Sequence, residues 1–145
     1  MDILTEKKYK KGYTAGVFDV FHKGHLNLIK AAKQHCEFLI VGVNSDELVL
    51  SYKNKLPIEP VEDRMEIVQA IRYVDGVVRV DSLDKIVALK KHGFDVIFIG
   101  DDWKGSERWN NTEKELKAFG VDVVYIPYTK GISSTKIRER KGWEK

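Results

Sequence analysis

The sequence has almost no cysteine and no long apolar run, and each of these absences excludes a class of protein. Cys36 is the only cysteine among 145 residues, which excludes an intramolecular disulfide and a cysteine-rich metal site. No segment approaches the roughly 18 uninterrupted apolar residues that a membrane-spanning helix needs. The N-terminus also lacks the long apolar core of a signal peptide. We therefore expect a cytoplasmic protein in which Cys36 is a small buried apolar residue.

An excess of one charge is also missing. Lysine and arginine total 25 against 22 aspartates and glutamates, so the formal net charge is only +3. That balance is compatible with small anionic ligands, but it is too weak to indicate nucleic acid as a partner.

Five short apolar runs rich in Val, Ile and Phe predict five strands that are buried on both faces. They cover residues 13–18, 38–44, 76–80, 95–100 and 121–127. Amphipathic stretches with helical spacing lie between them, and two prolines bar a continuous helix through KNKLPIEP (53–60). Alternating strands and helices predict one doubly wound, Rossmann-like α/β domain over residues 1–145, with a five-stranded parallel sheet.

Four segments that are distant in the sequence follow predicted strands. They are GVFDVFHKGH (16–25), VNSDE (43–47), GDDW (100–103) and PYTKGISST (127–135). Ligands bind sheets of this kind at the carboxyl ends of the strands, so we expect the four segments to meet around one pocket.

GVFDVFHKGH places two histidines where a helix should begin. Gly24 removes a side chain there, so that main-chain N–H groups and the helix dipole can reach an anion. His22 and His25 could donate hydrogen bonds to phosphate oxygens, and these would strengthen as negative charge builds in a transition state. Two surface histidines around a turn would show the same spacing, and HxxH without further ligands is a poor zinc site.

GISSTKI (131–137) predicts a second phosphate site. Its hydroxyl residues lead into a predicted helix whose first turns contain Lys136 and Arg138. Cations at that end of a helix are unfavourable unless an anion is bound, although an ordinary Ser/Thr cap is the alternative.

Two further segments contain candidate ligand-binding side chains. In GDDW, carboxylates could bind Mg²⁺ or polar nucleotide groups and Trp103 could pack against a ligand, although a turn that caps a helix would look the same. Lys53 and Lys55 could close on a phosphate, although such pairs are usually solvated surface lysines.

These motifs resemble those of the cytidylyltransferase branch of the HxGH nucleotidyltransferases. GVFDVFHKGH is similar to the signature (T/V)FDxxHxGH, and RYVD (72–75), GDDW and GISSTKI are similar to its later motifs, in the same order. The likeness covers nearly the whole chain and is strongest to the compact members that use glycerol 3-phosphate. It implies transfer of CMP from CTP to a small phosphorylated alcohol, with Mg²⁺ bound to the nucleotide. It also implies a homodimer, with no membrane or nucleic-acid partner. An adenylyltransferase that makes FAD and a non-catalytic nucleotide-binding regulator are the alternatives.

The resemblance also assigns roles to individual residues. It implies that His22, His25, Lys53 and Lys55 are catalytic and that no metal ion is held by the protein alone. The residues that it assigns to nucleotide and substrate binding are Gly16, Val17, Phe18, Asp19, Gly24, Lys85, Gly100, Asp101, Asp102, Trp103, Tyr128, Thr129, Gly131, Ile132, Ser133, Ser134 and Thr135.

The sequence departs from the branch in two places. Tyr128 replaces the arginine of the usual Arg-Thr-Glu-Gly, and Lys130 could restore the charge. The segment 104–115 is longer than its counterpart, so Arg108 and Trp109 could reshape the acceptor pocket. Outside these segments, Arg64 could be structural.

Overall fold

The computed structural model describes residues 8–127. Its five strands form one parallel sheet in the order β3-β2-β1-β4-β5. The strands are β1 (Tyr9–Gly16), β2 (Cys36–Asn44), β3 (Gly76–Val80), β4 (Val96–Gly100) and β5 (Asp122–Ile126). The helices are α1 (Lys23–His35), α2 (Asp46–Lys53), α3 (Val61–Gln69), α4 (Lys85–His92) and α5 (Glu107–Ala118), and a 3₁₀ turn covers Asp101–Trp103. The predicted α/β fold with a five-stranded parallel sheet is confirmed.

The sheet buries both faces, because side chains alternate along each strand. Leu39, Val41 and Val43 of β2 pack in a core with residues of α1 and α3. Ile40, between them, packs in a second core with residues of α4 and α5. Each fully buried aliphatic side chain of this kind contributes about 1.5 to 3 kcal/mol. Helices therefore cover both faces and leave the carboxyl ends of the strands for a ligand.

The first strand differs most from its prediction of residues 13–18. It begins at Tyr9, because Tyr9 and Lys11 pair with Cys36 and Phe38 of β2. It ends at Gly16, and Phe18 then adopts a left-handed conformation with φ 54°, which no strand accommodates. Val17 and Phe18 thus belong to the turn after β1.

The core bears on two sequence-based expectations about single residues, of which one is confirmed and one is wrong. Cys36 is completely buried and belongs to the first core. The expectation that Trp109 could reshape the acceptor pocket is wrong, because its side chain lies in the second core with Leu116 and is only 4% exposed. Within residues 8–127, no helix is long and apolar enough to cross a membrane.

Candidate active site

The carboxyl ends of β1, β2 and β4 lie along one edge of the sheet. Gly16 at the end of β1 neighbours Val43, and the 3₁₀ turn that begins at Asp101 directly follows β4. Three of the four expected segments, at 16–25, 43–47 and 100–103, therefore start from the same edge. The fourth continues from Pro127, and its predicted ligand residues Tyr128, Thr129, Gly131, Ile132, Ser133, Ser134 and Thr135 lie outside the described residues.

The two histidines form a reciprocal cap at the N-terminus of α1. His22 is the N-cap, and its Nδ1 accepts a hydrogen bond from the N–H of Gly24 at 3.0 Å. The N–H of His22 in turn donates to Nδ1 of His25 at 3.2 Å. The ring centroids lie 3.9 Å apart, and the ring planes are 27° from parallel. An imidazole that accepts at Nδ1 carries its proton at Nε2 when neutral, so each ring has an Nε2–H donor.

Both rings are neutral near pH 7. Burial lowers the pKa of His25 to about 3, with a further lowering by His22 and an opposing effect of Asp19. Burial also lowers the pKa of His22. The histidines are therefore hydrogen-bond donors to an anion and not imidazolium acids.

The turn between β1 and α1 is held by its own side chains. The side chain of Phe18 is only 4% exposed, packs in the first core and meets the His25 ring edge to face at 5.4 Å. Asp19 is 1% exposed, and its carboxylate accepts hydrogen bonds from the N–H groups of Ile58 and Glu59 at 2.8 and 3.0 Å. These two side chains therefore hold the turn in place, and the assignment of Phe18 and Asp19 to nucleotide binding stays a prediction.

Arg64 connects three segments of the site, which are the turn after β1, the end of β2 and the loop before α3. Its guanidinium is completely buried and donates to the main-chain oxygens of Glu59, Val17 and Asn44 at 2.8, 2.8 and 2.7 Å. It also forms an ion pair with Asp46 at 2.6 Å. A buried cation with this many acceptors is satisfied, and removing it would leave several polar groups buried without partners. The suspected structural role of Arg64 agrees with this geometry.

The segment with the lysine pair is anchored to the histidine turn at its far end. Lys53 ends α2, Asn54 follows with φ 59° in the left-handed region, and Lys55 comes next; both lysines are exposed. Ile58 and Glu59, further along, are bound to Asp19, and a carboxylate oxygen of Glu59 accepts from the N–H of Val20 at 3.1 Å. The lysine pair therefore lies on a short loop whose exit is fixed to the turn before α1.

GDDW forms the 3₁₀ turn after β4 and an adjoining exposed surface. A methyl group on Gly100 would lie 2.7 Å from Oδ1 of Asp102, so this carboxylate folds back over the glycine. Both aspartates are exposed, and Trp103 is 44% exposed. Lys85, the first residue of α4, is partly buried, and burial followed by the charge of Arg108 lowers its pKa to about 8.

The family model described as Cytidylyltransferase-like matches residues 13–140. The chain belongs to the cytidylyltransferase-like family. It is therefore an enzyme of the nucleotidyltransferase type, as the HKGH, RYVD and GDDW motifs predicted.

Individual members of this family differ in their substrates. Glycerol-3-phosphate cytidylyltransferase of Bacillus subtilis is 39% identical over 131 residues, which are 90% of this chain and 95% of that protein. FAD synthase of Pyrococcus horikoshii is 43% identical over 119 residues, which are 78% of this chain and 77% of that protein. The lipopolysaccharide core biosynthesis protein of Thermoplasma volcanium has a TM-score of 0.70 and 23% identity, over 86% of this chain and 99% of that one. The last likeness supports the fold alone.

Sequence reasoning missed several residues of the site. Glu59, Asn44 and Asp46 contribute to the hydrogen bonds around Arg64, but they come from two separate segments, 43–47 and 53–60. No local sequence pattern predicts such a hydrogen-bond network. The one signal in the sequence was the helical spacing of Arg64 from Val61 and Val68, because an arginine on an apolar helix face requires acceptors from elsewhere.

Proposed function

We propose that the protein is a cytidylyltransferase that transfers CMP from CTP to a small phosphorylated alcohol, with glycerol 3-phosphate as the expected acceptor. The observation that carries this proposal is the pair of neutral histidines at the start of α1, whose Nδ1 atoms are engaged and whose Nε2–H groups remain as donors. Similarity to glycerol-3-phosphate cytidylyltransferase along 95% of that protein supports the choice of substrates.

In the proposed reaction, an oxygen of the acceptor phosphate attacks the α-phosphorus of CTP in line. A new P–O bond forms, the bond between the α-phosphorus and the bridging oxygen breaks, and pyrophosphate leaves with that electron pair. The products are a CDP-alcohol and pyrophosphate, with no covalent enzyme intermediate. Catalysis then consists mainly of placement and charge stabilisation, as in phosphoryl transfer generally.

In this reaction, the histidines would stabilise charge and the lysines would position the two substrates. Negative charge on the α-phosphoryl oxygens would be stabilised by the Nε2–H donors of His22 and His25 and by the positive end of the α1 dipole. Lys53 and Lys55 would draw the two anions together. The partly buried rings are preorganised by their mutual cap, so little reorganisation is needed when charge develops.

Mg²⁺ would accompany the nucleotide. Within residues 8–127, no group of three or more His, Cys, Asp or Glu side chains could hold a metal ion. Mg²⁺ is usually bound by substrate phosphates, waters and one or two carboxylates. The exposed Asp101 and Asp102 are the carboxylates of GDDW that a nucleotide-bound ion could meet, where it would neutralise phosphate charge.

The central test is substitution of each histidine by asparagine, which keeps an acceptor near the Nδ1 position and removes the Nε2–H donor. We expect kcat with CTP and glycerol 3-phosphate to fall about 100-fold in H22N and H25N, as for the loss of one preorganised donor. The matched control is H35N, on the last residue of the same helix. Full activity in either test variant would contradict the proposal.

A second candidate is an FAD synthase, favoured by the 43% identity to the Pyrococcus enzyme. Incubation with CTP and glycerol 3-phosphate, or with ATP and FMN, followed by detection of pyrophosphate and of the product, separates the two. Tight binding of CTP without pyrophosphate from any phosphorylated alcohol would instead indicate a regulator. We also propose a homodimer, which sedimentation velocity tests directly.

A further inference from the structure

Arg108 lies beside Trp103, and its charge also acts on Lys85 of the neighbouring helix. Lys85 is the first residue of α4 and Arg108 is the second residue of α5, and these two helices pack against each other. The guanidinium of Arg108 lies over the Trp103 ring, 6.0 Å from its centroid. Because α4 follows β3 and α5 follows β4 and GDDW, both helices begin at the sheet edge where the histidines lie.

This pair of cations is unfavourable without an anion. Each lies at the positive end of a helix dipole, where acidic side chains are normally favoured. Asp84 opposes the lowering of the Lys85 pKa, but its carboxylate accepts from the N–H of Ile86 at 2.9 Å and caps α4. Within residues 8–127, neither Lys85 nor Arg108 forms a hydrogen bond or an ion pair with a carboxylate. A bound anion would offset both the repulsion between the two cations and the cost of burying the charge of Lys85.

The Trp103 ring bears on which alcohol can bind. An exposed indole face is the preferred surface for a quaternary ammonium group. Here the positively charged Arg108 lies over that ring. A ligand cation would therefore meet two like charges and an indole face that already has a cationic partner.

We propose that Lys85 and Arg108 form a positively charged wall of the acceptor pocket that selects phosphorylated alcohols without a cationic group. Glycerol 3-phosphate and similar polyol phosphates fit this wall, whereas it repels the ammonium groups of choline phosphate and ethanolamine phosphate. The inference rests on the proposed function, because it assigns the wall to the acceptor of that reaction. Arg108 becomes a specificity-determining residue in the segment 104–115, which is longer than its counterpart in the family.

The test compares kcat/KM for glycerol 3-phosphate and choline phosphate in the wild type, Arg108→Gln and Arg108→Glu. We expect R108Q to lose about tenfold in kcat/KM for glycerol 3-phosphate, mainly through KM. We expect R108E to shift the ratio of the two kcat/KM values toward choline phosphate by at least about tenfold. Lys114→Gln and Lys114→Glu are the matched controls, because Lys114 is exposed on the same helix and the charge changes are the same. A ratio within about twofold of the wild-type value in both Arg108 variants would overturn the inference.

A binding measurement without CTP separates this inference from the proposed function. In ¹⁵N–¹H NMR spectra, glycerol 3-phosphate should shift the Trp103 indole and Arg108 Nε–H signals, and choline phosphate should shift them much less. R108Q should abolish the difference at Trp103. If the enzyme makes no product from CTP but these shifts appear, the wall stands and the proposed reaction fails. Equal shifts by both ligands, or by neither, would overturn the wall itself.

Discussion

His25 should make the stability of the fold depend on pH. In the folded chain its pKa is about 3, against an ordinary value of 6.5, chiefly because the ring is buried. Below pH 6.5 the unfolded chain binds a proton at this ring, while the folded chain does not until about pH 3. The stability contributed by neutral His25 is therefore fully present above pH 6.5 and is lost as the pH falls from 6.5 toward 3.

The expected size follows from the same pKa difference. Each unit by which the pH falls within that range lowers the free energy of unfolding by about 1.4 kcal/mol. The loss at pH 5 is therefore about 2 kcal/mol. Asparagine at position 25 can still accept the N–H of His22, which Nδ1 of His25 accepts in the wild type. H25N should therefore keep the cap and lose the titration.

Urea unfolding at pH 7 and pH 5 measures this difference. Between the two pH values, the free energy of unfolding of the wild type should fall by about 2 kcal/mol more than that of H25N. His22 and His92, whose pKa values are also lowered by burial, remain in both proteins, so their contributions largely cancel. If the free energy of unfolding falls by the same amount in the wild type and in H25N, the assignment of His25 as a neutral ring with a lowered pKa is wrong.

Three other substitutions test the framework of the site. Arg64→Ala should lower the free energy of unfolding by about 3 to 5 kcal/mol, because it leaves an ion-pair partner and several acceptors without their cation; a loss below about 1 kcal/mol in urea unfolding would contradict the network. Asp19→Asn should reduce kcat about tenfold, because one carboxylate oxygen that receives a loop N–H is replaced by an amide donor; unchanged steady-state kinetics would show that the loop positions itself. Gly42→Ala should destabilise the protein by about 1 to 3 kcal/mol, because its methyl group would lie 2.5 Å from the Tyr13 hydroxyl and 2.6 Å from a Val80 methyl carbon; an unchanged melting temperature would refute this tight contact.

The sequence predicted strand bounds best where polar residues flank a run of valines. β3 has the predicted bounds, Gly76–Val80, because its valines lie between Asp75 and Asp81, although Arg79 within the strand is exposed. The first half of β1 was missed, since Lys10 and Lys11 look like surface residues. Their main-chain N–H groups donate to the carboxylate of Asp95, 84 and 85 positions away, and this distant contact has no local signature.

The bounds of two connecting helices were not predicted although their start signals were present. Ser45 caps α2 by accepting from the N–H of Leu48, and Ser106 caps α5 by accepting from the N–H of Trp109. A serine before an acidic residue is a usual helix start. α5 also explains the fate of Trp109, because a helix here turns that side chain into the core while Arg108 remains exposed.

The position of the histidine pair was predictable, but its ionisation was not. HKGH alone indicated an anion site, whereas neutrality and the Nε2–H tautomer depend on the cap geometry and on burial against Phe18 and Phe21. The same sequence on an exposed turn would have histidines of ordinary pKa.

The turn that holds the histidines is strained, and the network below it explains how the strain is tolerated. Phe18 and Val20 have φ values of 54° and 50°, which are costly for a bulky and for a β-branched residue. Asp19 between them is bound to the N–H groups of residues 58 and 59, and Glu59 accepts from the N–H of Val20. Arg64 holds the carbonyl groups on both sides of this arrangement. Because the same bonds fix the histidine turn and the exit of the lysine loop, a change that loosens one should displace the other.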